Sequence, residues 1–172
     1  MPCMSHLASR YAFTDKAADY RALARELEGL LAGERDLIAN AANTAALLYN
    51  ALPEVNWVGF YFLKDGELVV GPFQGQPACV RIALGRGVCG TAAAERRTLV
   101  VPDVHAFAGH IACDPNSRSE IVIPLVGGAG LLGVLDVDSP RPQRFDAADS
   151  HGLEALAALF LAASTPLPAP RG

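Results

Sequence analysis

The residues that could most readily do chemistry are four cysteines: Cys3, Cys79, Cys89 and Cys113. No two of them form a C-x-x-C pair, so their spacing does not predict a zinc ribbon or a thioredoxin motif. Cys113 lies in a polar segment shortly after His110, and a protonated histidine or a nest of backbone N–H groups there would favour the reactive thiolate. Cys89 follows a glycine-rich turn and is expected to open a short helix, whose N-terminus would also lower the pKa of a thiol.

Other roles for these cysteines remain open on the residues alone. An isolated cysteine in a cytosolic protein is most often a small buried apolar residue. A zinc site that joins Cys79, Cys89 and Cys113 to a histidine is a further alternative, although the irregular spacing argues against it. Cys3 is expected to be a surplus thiol near a mobile terminus.

Three carboxylates stand at strand-like positions. Because side chains alternate along a strand, Asp136 and Asp138 are predicted to share one face with Leu132 and Val134. Glu120 opens a second apolar run. If the two strands are neighbours, the three carboxylates converge and would form a pocket for an ammonium group or a metal ion. The alternative is that these acids only sit at solvated strand ends.

An aromatic segment, NWVGFYF, is also predicted to be a strand. Alternation would place Trp57, Gly59 and Tyr61 on one face, where the glycine would leave room for a ligand between the two rings. The alternative role for Trp57 is ordinary packing in the core or the hairpin.

The remaining pattern predicts an α+β sandwich, in which an antiparallel sheet carries helices on one face and loops on the other. Apolar periodicity predicts helices at both ends of the chain, and hairpin signals predict the strands between them. The first helix is expected to be capped by Thr14 and ended by Gly33, and the last helix is expected to start at Asp146. The predicted helices span about 15–32, 34–51, 91–97 and 146–161, and the predicted strands about 55–63, 67–73, 98–101, 119–125 and 128–138.

Composition excludes several broad classes of function. The chain has 172 residues, of which 51% are hydrophobic and 19% charged, and its net charge is −4. This profile is globular, and its acidity gives no reason to expect nucleic-acid binding. No signal-peptide core and no membrane-length apolar run is present, so a cytoplasmic protein that does not bind membranes is expected.

Five segments, taken in order, closely resemble the free methionine-(R)-sulfoxide reductases, which are compact GAF-domain enzymes. The segments are NWVGFYF, GPFQGQPACVRIALGRGVCGTAA, DVHAFAGHIACD, SRSEIV and GVLDVDSP. The resemblance runs from about Ala17 to Phe160, so we expect a GAF-type sandwich over residues 14–164. Residues 1–13 would then be an N-terminal extension and residues 165–172 a flexible C-terminal tail.

This resemblance implies a role for each unusual residue. Cys113 is similar to the family's catalytic cysteine, and the thiols of Cys79 and Cys89 to its resolving or relay thiols. The implied substrate-binding residues are Trp57, Tyr61, Glu120, Asp136 and Asp138. Glu120 or Asp138 would also donate a hydrogen bond or a proton to the sulfoxide oxygen.

The implied reaction reduces free L-methionine (R)-S-oxide through a sulfenic acid on the catalytic cysteine and an intramolecular disulfide. The family implies thioredoxin as electron donor, no bound cofactor, no metal and a homodimer. A GAF domain that senses a small ligand without turnover is the competing function, since this fold serves many unrelated ligands.

Overall fold

Four α-helices and six β-strands are seen in the computed structural model, which describes residues 11–109 and 114–165. In chain order they are α1 (Lys16–Leu31), α2 (Leu37–Ala51), β1 (Trp57–Lys64), β2 (Glu67–Gln74), β3 (Arg81–Ala83), α3 (Gly87–Glu95), β4 (Leu99–Val101), β5 (Ser119–Gly127), β6 (Gly130–Ser139) and α4 (Ala147–Ala163). A short 3₁₀ turn, Val104–Ala106, follows β4. None of the described helices combines the length and the apolar character needed to cross a membrane.

The six strands form one antiparallel sheet in the order β3-β2-β1-β6-β5-β4. Helices α1, α2 and α4 contribute the side chains of the larger apolar core on one face. Helix α3 and the connecting loops cover the other face over a smaller apolar cluster. The predicted α+β sandwich is therefore confirmed, with α3 as an additional helix on the face that was predicted to carry loops.

Helices α1 and α4 are tied together by a buried polar contact. Asp149, which is fully buried in α4, accepts a hydrogen bond from the Tyr20 hydroxyl of α1 at 2.9 Å. The Arg144 guanidinium lies 3.2 Å from the same carboxylate. Asp146 and Asp149 also form a capping box, so the last helix starts where the sequence predicts.

Three helix starts differ from the prediction. Asp15, rather than Thr14, caps α1, because its carboxylate accepts the Ala18 N–H at 3.1 Å. Helix α2 begins at Leu37 instead of residue 34, since the Asp36 side chain caps it. Helix α3 begins before the alanine-rich run that predicted it, so Cys89 lies in its first turn, as expected for the residue that opens the helix.

The alternation predicted for β6 fails at its start. The register shifts between Leu125 and Val126 of β5, so that Leu132 has no partner across the ladder. Leu132 therefore packs with the helix-side core, and Leu131 packs on the opposite face, the reverse of the prediction. After this bulge the side chains alternate between the two faces as predicted, and Val134 lies on the face that α3 covers.

Candidate active site

A cleft of about 440 Å³ lies between the face of the sheet and the start of α3. The lining side chains are aromatic, acidic and small: Trp57, Tyr61, Ala78, Ile82, Arg86, Gly87, Val88, Cys89, Asp114, Ser117, Glu120, Asp136 and Asp138.

The three predicted carboxylates converge in this cleft. Strands β5 and β6 are neighbours, and their register pairs Glu120 directly with Asp138. Asp136, two residues earlier on β6, points to the same face. Glu120 and Asp136 are only 5% and 6% exposed. These two residues therefore do not lie at solvated strand ends, and the alternative that they do is wrong.

Burial makes this cluster retain protons at a pH where carboxyl groups are usually ionised. Burial raises the pKa of Glu120 well above its ordinary range, and the charges of Asp136 and Asp138 add to the shift. For Asp136, burial raises the pKa to about 7, while hydrogen bonds from Cys89 and Glu120 act in the opposite direction. The pKa of Asp138 is raised by burial and then by the charges of Asp136 and Asp114. The cleft therefore offers both a carboxylate and proton-donating carboxyl groups near neutral pH.

Cys89 is a buried thiol beside these acids. It is 5% exposed, and its Sγ lies 3.8 Å from Glu120 Oε1. Burial raises the pKa of the Cys89 thiol well above its usual range, and the charges of Asp136 and Glu120 raise it further. The expectation that the helix N-terminus lowers this pKa is therefore wrong. A helix terminus contributes at most about 2 kcal/mol, which desolvation and neighbouring carboxylates outweigh.

Cys79 lies in the loop between β2 and β3 and is half-buried. Its backbone carbonyl accepts a hydrogen bond from the Tyr61 hydroxyl at 3.2 Å. No disulfide joins Cys79 to Cys89. Cys113, the predicted nucleophile, lies outside the described residues, as does Cys3. Asp114, the next residue after Cys113 in the chain, lines the cleft.

The aromatic wall forms as predicted, but the expected gap in it does not. Trp57 stacks between Tyr61 and Phe73, with ring-centroid distances of 5.9 Å and 5.2 Å. A Cβ added at Gly59 would overlap Phe73 and lie 2.6 Å from the Trp57 ring. Gly59 therefore makes room for the indole of Trp57, not for a ligand. The indole N–H donates to the Gln76 carbonyl at 3.0 Å, which fixes the ring at the wall of the cleft.

A polar cluster that the sequence did not predict lies at one end of the cleft. The Asn56 amide donates to Asp114 Oδ2 at 2.9 Å and to Ser117 Oγ at 3.1 Å. Asp114 also accepts the Asn116 N–H at 2.8 Å, which closes a tight turn directly after Cys113. In the sequence these residues look like ordinary turn formers. The available signal was that a polar Asn56 precedes a strand whose first six residues are buried.

Cys89 was predicted at the start of α3, but the backbone N–H groups of that first turn were not predicted as part of the site. Gly87, Val88 and Cys89 line the cleft at the first turn of the helix. The first N–H groups of a helix have no partner within it, and the N-terminal residue Arg86 makes no side-chain cap. These N–H groups carry partial positive charge. The cleft therefore has an acidic side and a side that favours anions.

Comparison with known proteins gives matches over most of the chain. The family model for the GAF domain matches residues 20–163. Free methionine-R-sulfoxide reductase of Escherichia coli is 53% identical over 144 residues, which are 84% of this chain and 87% of that protein. The Saccharomyces cerevisiae protein of the same name is 44% identical over 141 residues, 77% of this chain and 78% of that protein.

A solved structure agrees with these matches. The X-ray structure of free methionine-R-sulfoxide reductase from Neisseria meningitidis, in complex with its substrate, superposes with a TM-score of 0.86 at 47% identity. The superposition covers 92% of this chain and 95% of that one.

Proposed function

The chain belongs to the GAF-domain family of free methionine-(R)-sulfoxide reductases, and we propose that it reduces free L-methionine (R)-S-oxide to L-methionine with Cys113 as the attacking thiol. The observation that carries this proposal is the convergence of Glu120, Asp136 and Asp138 beside Trp57 and Tyr61 in one cleft. A free amino acid with an ammonium, a carboxylate and a small sulfur-bound methyl group complements that set of surfaces. The named homologues support the same reductase function.

Asp136 is the residue we assign to the substrate ammonium. Its Oδ1 atom is buried and has no hydrogen-bond partner among the residues that the structure describes. A buried carboxylate oxygen without a donor is costly, and an ammonium supplies both the donor and the opposite charge. A methionine residue inside a polypeptide has no such ammonium, so it would leave Asp136 unpaired. This difference accounts for selectivity toward the free amino acid.

The α-carboxylate of the substrate and its sulfur-bound methyl group also have complementary surfaces in the cleft. The N–H groups at the first turn of α3 suit the α-carboxylate, because they lack helical partners and their residues line the same cleft. The stacked rings of Trp57 and Tyr61 suit the methyl group and the soft sulfur. These contacts would orient the sulfoxide sulfur toward the nucleophile.

The proposed chemistry begins with attack of the Cys113 thiolate on the sulfoxide sulfur. The sulfoxide oxygen accepts a proton from Glu120 or Asp138, whose pKa values are raised by burial so that each can hold a proton near neutral pH. The protonated oxygen then transfers from the methionine sulfur to the Cys113 sulfur, so the substrate S–O bond breaks as a Cys113 S–O bond forms. Methionine leaves with the electron pair of the S–S bond, and Cys113 is left as sulfenic acid. The cysteine sulfur is oxidised by two electrons and the methionine sulfur is reduced by two.

A second thiol must then reduce the sulfenic acid. Condensation of a thiol with the sulfenic acid forms a disulfide and releases water. We favour Cys79 for this step, since its loop is half-buried, whereas Cys89 is fixed in a helix as a buried neutral thiol. Thiol–disulfide exchange with thioredoxin would restore both thiols, and Cys89 would serve as a second exchange partner.

Single-turnover chemistry tests the nucleophile. Cys113→Ser should abolish the formation of methionine from the R sulfoxide, while the matched variant Cys3→Ser should turn over like the wild type. A Cys113→Ser variant that kept the wild-type rate would overturn the assignment. Tight binding of the sulfoxide by the wild type with no product in the presence of thioredoxin would instead favour a ligand sensor.

Disulfide mapping tests which cysteine resolves the sulfenic acid on Cys113. After one turnover without reductant, alkylation and peptide mass analysis should find a Cys79–Cys113 disulfide in the wild type. In Cys79→Ser, the sulfenic acid should persist or be captured by Cys89. A Cys89–Cys113 disulfide as the first product of the wild type would reverse the two assignments.

A further inference from the structure

The thiol of Cys89 and two of the buried carboxylates form a compact group of metal-binding atoms. Cys89 Sγ and one carboxylate oxygen each from Glu120 and Asp136 all lie within 4.8 Å of one another. We propose that this trio binds Zn²⁺ in the reduced, substrate-free protein, and that zinc thereby competes with the substrate. The binding of zinc stands on the geometry, whereas the competition rests on the proposed function.

The spacing of the three atoms is close to that of a zinc site. Zinc binds sulfur at about 2.3 Å and oxygen at about 2.0 Å, so tetrahedral ligands lie about 3.3 to 3.5 Å apart. Cys89 Sγ and Glu120 Oε1 are 3.8 Å apart before any ion is bound. The other two separations are within 4.8 Å, so side-chain shifts of up to about 1.5 Å would complete the contacts.

The donor types select among the common ions. Magnesium and calcium prefer sites made only of oxygen atoms, and magnesium needs six of them in octahedral order. One thiolate with two carboxylates suits zinc, which accepts sulfur and oxygen ligands together in a four-coordinate site. The fourth position would face the open part of the cleft and would take water.

A second observation points to a positively charged ligand. Asp136 is 6% exposed, and its Oδ1 atom has no hydrogen-bond partner within the described part of the chain. Arg86 is the only lysine or arginine among the described residues that line the cleft, and it is exposed. A dication would satisfy the unpartnered oxygen and neutralise the charge of the group, displacing protons as it binds.

Competition follows from the shared ligand. We have assigned the substrate ammonium to Asp136, so zinc and substrate cannot both occupy that carboxylate. Zinc would also hold the Cys89 thiol away from exchange chemistry. The substrate-free enzyme would then be inhibited by free zinc, and a chelator would reverse the inhibition.

The test uses a protein in which Cys89 is the only thiol, made by Cys3→Ser, Cys79→Ser and Cys113→Ser together. Co²⁺ replaces zinc as a visible probe, because a cobalt–thiolate bond gives a charge-transfer band that oxygen ligands do not. We expect one equivalent of Co²⁺ to give this band and one equivalent of Zn²⁺ to remove the colour. Adding Cys89→Ser should abolish the band, and adding Asp136→Asn should weaken binding at least about tenfold.

Several results would overturn the inference. A missing thiolate band, or zinc affinity that Cys89→Ser leaves unchanged, would mean that the trio is not the site. If the combined variant does not fold, zinc affinity of the wild type compared with Cys89→Ser alone decides the question. Loss of zinc binding only when Cys79 and Cys113 are replaced would assign the ion to those thiols instead.

Competition is measured separately, as the shift in zinc affinity with added methionine in the same variant. A rise in the apparent dissociation constant in proportion to methionine is expected, and no rise would overturn the competition. Turnover of the metal-free wild type decides the proposed function independently. An active enzyme that binds no zinc refutes only the inference, and a zinc-binding protein without turnover refutes only the function.

Discussion

Acidification is expected to weaken the binding of methionine and its sulfoxide because it neutralises Asp136. Burial raises the pKa of this carboxyl to about 7, so most of it is ionised at about pH 8 and about one tenth at about pH 6. Only the ionised form pairs with the substrate ammonium, which stays protonated over this range. The dissociation constant should therefore rise about tenfold between these two pH values.

Calorimetric titration of Cys113→Ser with methionine (R)-sulfoxide, from about pH 5.5 to about pH 8.5, measures this dependence without turnover. In an Asp136→Asn background the affinity should be weak and nearly independent of pH. The N-acetylated sulfoxide is the matched ligand control, since it lacks the ammonium but keeps the sulfoxide and the carboxylate. It should bind weakly at every pH.

Two results would refute this reasoning. If the affinity of Cys113→Ser for the sulfoxide does not change across this pH range, then Asp136 does not hold the ammonium in its ionised form. An Asp136→Asn variant that keeps both the affinity and the pH dependence would assign the ammonium to another carboxylate. Glu120→Gln and Asp138→Asn would then be titrated in the same way to find it.

The remaining predictions concern stability and positioning. Asp136→Asn should raise the free energy of unfolding at about pH 8 by on the order of 4 kcal/mol. The reason is that the pKa of this carboxyl rises from 3.8 to about 7 on folding, so the ionised form destabilises the folded state. Denaturant titrations should show this gain in stability shrinking as the pH falls and vanishing below about pH 3. Asn56→Ala removes the hydrogen bond to Asp114 Oδ2 and so loosens the turn that follows Cys113. We expect kcat to fall about tenfold while KM changes little, and an unchanged kcat would contradict a positioning role for Asn56. Gly133→Ala should cost about 2 to 4 kcal/mol of stability because its Cβ would overlap the backbone of β1. Gly128→Ala, which has nothing within 4 Å, is the control and should cost little.

The parts of the site that depend on strand alternation could be predicted from the sequence. Side chains two residues apart in a regular strand share a face, so a strand through Asp136 and Asp138 brings them close together. Glu120 joins them because hairpin signals make β5 and β6 neighbours. The same local rule placed Trp57 and Tyr61 on one wall.

The parts that depend on tertiary packing could not be predicted. The bulge at Leu132 shifts the strand by one residue, and alternation read along a single strand contains no sign of it. The space beside Gly59 is filled by the Trp57 ring, whose rotamer is fixed by the Gln76 carbonyl from a distant loop. Asn56 meets Asp114 across 58 positions of sequence. Each of these contacts joins segments that no short pattern links.

The two described cysteines show why burial matters more than sequence context for their chemistry. Both follow or precede glycine-punctuated turns, yet Cys89 is enclosed by carboxylates that hold it as a neutral thiol, while Cys79 is half-buried in a loop. A protein dithiol can attack only a sulfur that it can reach, and only the thiolate of the attacker reacts. We therefore expect electrons from thioredoxin to enter at Cys79. A disulfide that reached Cys89 would have to move back to Cys79 by exchange before it could be reduced.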